Sequence, residues 1–170
     1  MAVQDRTTTV ADYQSDASYS AREALSRQFD NNIELRRPQY EEKNLSRIEW
    51  ATDVKSALTR AQAEGKPLVV VFQEERCGWC KLFGKELEKA STNSIAQDAI
   101  FLRVTPSSNA DGKKLAELCK IEGYPSVSVL TVNKGSISPV FKVSGYLESD
   151  KFVSSMKNVF AELDKKSNVV

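Results

Sequence analysis

The stretch Leu68-Val69-Val70-Val71-Phe72 limits the possible folds of this chain more than any other. It is a continuous apolar run rich in β-branched residues, and Gly65 and Pro67 lie just ahead of it. A strand with one wet face alternates apolar and polar residues, because successive side chains point to opposite sides. A run without that alternation predicts a central strand buried on both faces. Helices are then expected on both sides of its sheet.

The flanking sequence supplies them. The globular part is expected to begin near Leu45, with a short extended segment around Ile48 and Trp50. Thr52 or Asp53 caps a helix carrying Val54, Ala57, Leu58 and Ala61 on one face, which Gly65 and Pro67 end. A second helix starts at Cys77-Gly78-Trp79-Cys80 and lines up Cys80, Phe83, Leu87 and Ala90, with Gly84 as an internal weak point worth about 1 kcal/mol against Ala. Ala99 to Val104 reads as a strand and Ser108 to Gly112 as a polar loop. Asp111 or Gly112 opens a helix with Leu115, Leu118 and Cys119 on one face, broken by Gly123, Tyr124 and Pro125. Val127 to Val132 and Val140 to Val143 read as strands joined by a turn at Asn133-Lys134-Gly135. The last helix has the clearest period, through Phe152, Val153, Met156, Val159, Phe160 and Leu163. A helix between two strands implies a parallel crossover, and the hairpin adds antiparallel strands. The fold class is therefore α/β, with a mixed central sheet of four strands, or five, flanked by helices.

Residues 1–44 differ in composition. The first twenty hold Thr7, Thr8, Thr9, Ser15, Ser18 and Ser20 with few aliphatics, which predicts a mobile tail. Ala21 to Phe29 is expected to form a short helix, with Leu25 and Phe29 one turn apart, before Pro38 interrupts. The expected organisation is an N-terminal extension at 1–44, one domain at 45–166 and a tail at 167–170.

Charge and composition remove several function classes. Lys and Arg number 24 against 23 Asp and Glu, a net charge of +1, which argues against nucleic-acid binding through bulk charge. The chain has no histidine, so imidazole-dependent triads and His-ligated zinc are excluded. No apolar run approaches the ~18 residues of a membrane span. No basic start followed by an apolar stretch marks a signal peptide. No cofactor is expected.

The chemistry concentrates at Cys77 and Cys80. The first cysteine sits at a helix N-terminus, where unpaired N–H groups and the helix dipole favour an anion, so its thiol is expected to ionise readily. The second follows one turn later on the same side, where it can close a disulfide or resolve a mixed one. Cys77 is thus expected to attack and Cys80 to resolve. Arg76 beside Cys77 favours thiolate, while Glu74 and Glu75 oppose it. Gly78 leaves room for backbone to approach the sulfur. Trp79 is expected at the loop tip, either as a surface for a partner protein or as a half-buried ring without a recognition role. Two thiolates also suit copper(I), which keeps a metal-carrier reading open, although structural zinc lacks two ligands. Cys119, on an apolar helix face, is expected to pack as a small buried hydrophobe.

Taken in order, four landmarks resemble the thioredoxin-like family: Lys66-Pro67-Leu68-Val69-Val70-Val71-Phe72, Arg76-Cys77-Gly78-Trp79-Cys80-Lys81, Gly123-Tyr124-Pro125-Ser126 and Val143-Ser144-Gly145-Tyr146. The resemblance covers about Ile48 to Leu163 and implies a thioredoxin fold. It implies a cis bond before Pro125 that sets this loop against the cysteine pair, leaving the backbone of Tyr124 free to pair with an extended substrate. The chain departs from ordinary thioredoxin in four places. Val71 replaces a buried acid, Arg76 an aromatic, Trp79 the motif's proline, and Gly84-Lys85 the helix-kinking proline. The implied activity is thiol–disulfide oxidoreductase, in the reductase direction because the motif lacks the central His of strong oxidants. A slow or redox-inactive protein-binding, chaperone-like module is the alternative. Expected partners are protein disulfides or dithiols and a redox partner protein, with the chain acting as a monomer. The Glu-Gly-Lys-Pro lead-in is similar to the branch common in exported bacterial proteins, implying export with the leader removed; a cytoplasmic location is the alternative.

Overall fold

The computed structural model describes residues 47–51 and 53–169 of the 170-residue chain. The expectations for residues 1–44, including the helix at Ala21 to Phe29, lie outside the described residues, as does Thr52. In chain order the elements are β1 (Trp50–Ala51), α1 (Val54–Glu64), β2 (Leu68–Phe72), α2 (Gly78–Leu87), a 3₁₀ segment (Ala90–Ile95), β3 (Ile100–Val104), α3 (Ala110–Leu118), β4 (Ser126–Asn133), β5 (Ser136–Ser144) and α4 (Ser149–Ser167). The strands form one five-stranded sheet in the order β1-β3-β2-β4-β5. β1 and β2 both run parallel to β3, and β4 runs antiparallel to β2 and to β5.

β2 is the central strand, and all of its residues are buried. Its period of two splits the run between two cores. Val69 and Val71 join Phe83 and Leu87 of α2 and Phe152, Met156 and Phe160 of α4 on one face. Leu68, Val70 and Phe72 join Val54, Ala57 and Ala61 of α1 and Leu115 of α3 on the other. The absence of alternation thus corresponds to helices on both faces.

Local signals explain the helix boundaries. Asp53 caps α1 by accepting from the Ser56 N–H at 2.8 Å. Gly65, at φ +63°, ends it in the left-handed region that glycine adopts without steric cost.

Two boundaries and one buried face depart from the sequence reading. α3 opens at Asn109, whose Oδ1 accepts from the Gly112 N–H at 2.9 Å, so the expected start at Asp111 or Gly112 is two or three residues late. Gly112 lies inside the helix because α3 runs so close to β3 that a Cβ there would sit 2.3 Å from Val104 Cγ1. Leu118 is 44% exposed, not core; the buried face of this helix end is Leu115, Ala116 and Cys119. β5 starts at Ser136, not Val140. Its first half mixes Ser136 and Ser138 with Ile137 and holds Pro139, which an edge strand tolerates because the missing N–H faces no neighbour. Val129 pairs with Phe141 and Leu130 with Pro139, so Val140 is the extra residue of a bulge.

Candidate functional site

Cys77 and Cys80 meet where β2 hands over to α2. The turn is closed by the Cys77 N–H donating to the Glu74 carbonyl at 3.2 Å. Cys77 is the N-cap residue, and its Sγ accepts from the Cys80 N–H at 3.1 Å. A sulfur therefore occupies the place usually filled by a side-chain oxygen, at the positive end of the helix. The two sulfurs are bonded, with the Cα atoms 5.2 Å apart. Cys77 is half-buried, whereas Cys80 is only 6% exposed and packs into the core side of α2. An incoming thiolate thus has access to the first sulfur and little to the second.

Opposite the pair stands the loop before β4. The Tyr124–Pro125 peptide is cis, and the Tyr124 carbonyl oxygen lies 3.8 Å from Cys77 Sγ. Tyr124 is exposed and Pro125 buried. Burial, followed by the nearby Glu74 carboxylate, pushes the Tyr124 hydroxyl above its ordinary pKa. The loop is pinned by Ser126 Oγ donating to the Gly123 carbonyl at 2.6 Å and by the Gly145 N–H donating to the Pro125 carbonyl at 2.8 Å.

Of the sequence-predicted residues, Cys77, Cys80, Tyr124 and Pro125 come together. Trp79 is 62% exposed at the tip of the motif, with its ring centroid 5.9 Å from that of Tyr146. Gly78 is exposed, and an added Cβ there meets nothing within 4 Å, so the fold itself imposes no need for glycine. Arg76 and Glu75 are exposed. The Glu74 carboxylate accepts from the backbone N–H of Ser107 at 3.2 Å and from its hydroxyl. Cys119 is buried and free; burial pushes its thiol up, partly offset by the Ser128 hydroxyl.

Three residues at the site escaped the sequence reading. Tyr146 packs against both Trp79 and Phe83, the latter at 6.5 Å between centroids. Glu86 lies beside it: the carboxylate accepts from Lys89 at 2.7 Å and from the Ser149 N–H at 2.9 Å, and the Tyr146 hydroxyl is close enough to help lower its pKa. These partners hold the Glu86 carboxyl at about 2, Lys89 contributing most. Glu86 thereby ties α2 to the start of α4 and to the aromatic surface beside the cysteines. Arg103, on β3, lines a cleft of about 350 Å³ together with Cys80. Burial draws its guanidinium below the ordinary pKa, with Glu88 opposing. A charge inside the apolar run Ile100 to Val104 was the available signal for Arg103, and Tyr146 closed the landmark Val143 to Tyr146 without being given a site role; Glu86 carried none, since its contact with Ser149 joins distant segments.

Comparison with known proteins follows the same outline. Residues 54–160, well over half of the chain, match the family described as "Thioredoxin-like domain". A thioredoxin from Thermus thermophilus, known from its solution structure, is similar at 22% identity and a TM-score of 0.59, covering 67% of this chain and 88% of its own. A structure named DsbH Oxidoreductase is similar at 15% identity and a TM-score of 0.57, covering 68% of this chain and 86% of its own. At these identities the likeness concerns the fold. No curated protein matches the chain.

Proposed function

Because this chain belongs to the thioredoxin-like domain family, we propose that it is a thiol–disulfide oxidoreductase acting on protein substrates in the reductase direction. The observation that carries this reading is the asymmetric cysteine pair: Cys77 accessible at the helix N-terminus, Cys80 buried one turn behind it. Asymmetry of that kind is what a two-step exchange requires. Cys77 thiolate attacks one sulfur of a substrate disulfide, forming a mixed disulfide and releasing the other substrate sulfur as thiolate. Cys80 thiolate then attacks Cys77 Sγ, closing the Cys77–Cys80 bond and releasing the second substrate thiolate. A dithiol partner protein re-reduces the pair by the reverse steps. The helix N-terminus favours the Cys77 thiolate at the start of the cycle.

The surroundings support a protein rather than a small disulfide as substrate. Trp79, Tyr146 and Tyr124 are exposed aromatics around one sulfur, and exposed aromatics are enriched at contact surfaces. Tyr124, an exposed residue whose carbonyl lies beside Cys77, suits pairing with an extended segment. The same surface supports the chaperone-like alternative, in which the cysteines cycle slowly. The experiment that separates them is equilibration of the pair in glutathione buffers, followed by Trp79 fluorescence. A reversible two-electron transition at a strongly reducing potential is expected. A transition in the range of oxidising folding catalysts would reverse the direction, and no reversible transition would leave the binding reading in its place.

A further inference from the structure

Arg103 lies behind the cysteine pair and takes no part in the exchange as described above. It is a cation in an apolar strand, in register with Val71 of β2 and on the same sheet face as Val69, Phe101, Phe83 and Leu87. Its guanidinium stacks on Trp50, with Cζ 4.2 Å from the ring centroid. Its Nε and Nη2 atoms are buried without a hydrogen-bond partner among the described residues. Two unmet donors on a desolvated charge are costly, and a methionine would fill the same space without that cost. Among the described residues the buried polar side chains are Thr92, Ser126, Ser128 and Ser149, so no buried carboxylate compensates for the guanidinium. Its route to the cysteines is the cleft of about 350 Å³ that it lines together with Cys80.

We propose that Arg103 is a positioning residue that stabilises negative charge on Cys80 Sγ, an inference that rests on the exchange reading given above. When an incoming dithiol's thiolate bonds to Cys77 Sγ, the Cys77–Cys80 bond breaks and its electron pair leaves on Cys80. That sulfur is nearly excluded from bulk water, so the protein must solvate the new anion. In the return step the same thiolate attacks Cys77 Sγ and expels the partner as thiolate. A leaving thiol of lower pKa departs faster, so a cation on this side eases opening of the disulfide and makes the pair less reducing.

The other charged groups around the cleft are Glu74, Glu75, Lys81, Lys85 and Glu88. Glu74 is bound by Ser107, and Glu75, Lys81, Lys85 and Glu88 are exposed, where water and salt screen them. Glu88 is the acid that faces Arg103. Arg103 is partly buried, with Nε and Nη2 shut off from solvent, so its charge is screened less than those of the four exposed groups.

The test titrates Cys80 in a Cys77→Ser background, following isotope-labelled cysteine Cβ resonances with Arg103 intact, with Arg103→Met, with Arg103→Gln and with Arg103→Lys. Either neutral variant is expected to raise the proton affinity of Cys80 about tenfold, the size of one charge acting from the far side of the shared cleft at intermediate dielectric. Arg103→Lys, which keeps the charge, is expected to restore most of the difference. With both cysteines present, the equilibrium against glutathione at alkaline pH is expected to shift about tenfold towards the disulfide in Arg103→Met, equivalent to ~30 mV. A merely structural role would change the melting temperature without moving the Cys80 titration. An unchanged Cys80 titration in folded Arg103→Met or Arg103→Gln overturns the proposal. Failure of the wild-type pair to cycle in glutathione overturns the exchange reading instead, so the two failures are told apart.

Discussion

Replacing Gly112 by alanine sets two effects of opposite sign against each other. Within a helix, Ala is favoured over Gly by about 1 kcal/mol, and Gly112 sits in the first turn of α3. If space were free, Gly112→Ala would stabilise the protein by up to that amount. Space is not free: the new Cβ would lie 2.3 Å from Val104 Cγ1, well inside the ~3.5–4.0 Å optimum for carbon pairs. Val104 cannot easily yield, because it is β-branched, 4% exposed and held in β3. Overpacking of this kind costs about 1–3 kcal/mol, and the clash is at the severe end, so about 3 kcal/mol against at most about 1 kcal/mol leaves a net loss of ~2 kcal/mol. With a urea m-value of about 2 kcal/mol per M, the midpoint should fall by roughly 1 M. The companion variant Val104→Ala removes the clashing methyl, so the double variant should be more stable than the sum of the single effects predicts. Equilibrium urea unfolding of all four proteins measures both quantities. A rise in stability for Gly112→Ala, or additivity in the double variant, would refute the close approach of α3 to β3.

Other consequences are equally direct. After reduction, brief iodoacetamide treatment of the native protein should label Cys77 first, Cys80 slowly and Cys119 least, as read by peptide mass spectrometry; comparable labelling of Cys119 would contradict its burial and raised pKa. The Glu86 carboxyl is lowered from 4.5 to about 2, so its stabilising effect is complete above the ordinary value and is lost as pH falls from about 4.5 towards 2. The native carboxyl takes up its proton only as pH falls through about 2, so the fluorescence of Trp79, whose neighbour Tyr146 lies beside Glu86, should change there, and Glu86→Gln should abolish that change. Gly84 lies in α2 with nothing within 4 Å of an added Cβ, so Gly84→Ala should stabilise by about 0.5–1 kcal/mol in thermal unfolding.

Much of this protein is readable without coordinates because its strongest signals are local. The unbroken apolar run of β2 required cover on both faces, and the α4 pattern ran through Phe152, Met156 and Phe160, all buried. The spacing of Cys77 and Cys80 at a strand-to-helix junction depends only on neighbours in the chain. Where the reading went astray, the local signal was ambiguous. Leu118 and Cys119 share an apolar character, and only the packing of α3 on the sheet decides which of them turns inward. The Ser- and Pro-bearing first half of β5 hides a strand whose pairing with β4 supplies its stability.

What tertiary structure alone decided is which distant groups meet at the sulfurs. Tyr146 reaches Trp79, and Glu86 reaches Ser149, across long stretches of sequence that carry no periodic trace of the contact. Arg103 is conspicuous in an apolar strand, but its place behind Cys80 follows from β3 pairing in register with β2. Sequence period determines which face of an element is buried, because that follows from backbone geometry. It does not determine which two faces are brought together, because that depends on how the whole chain closes around its core.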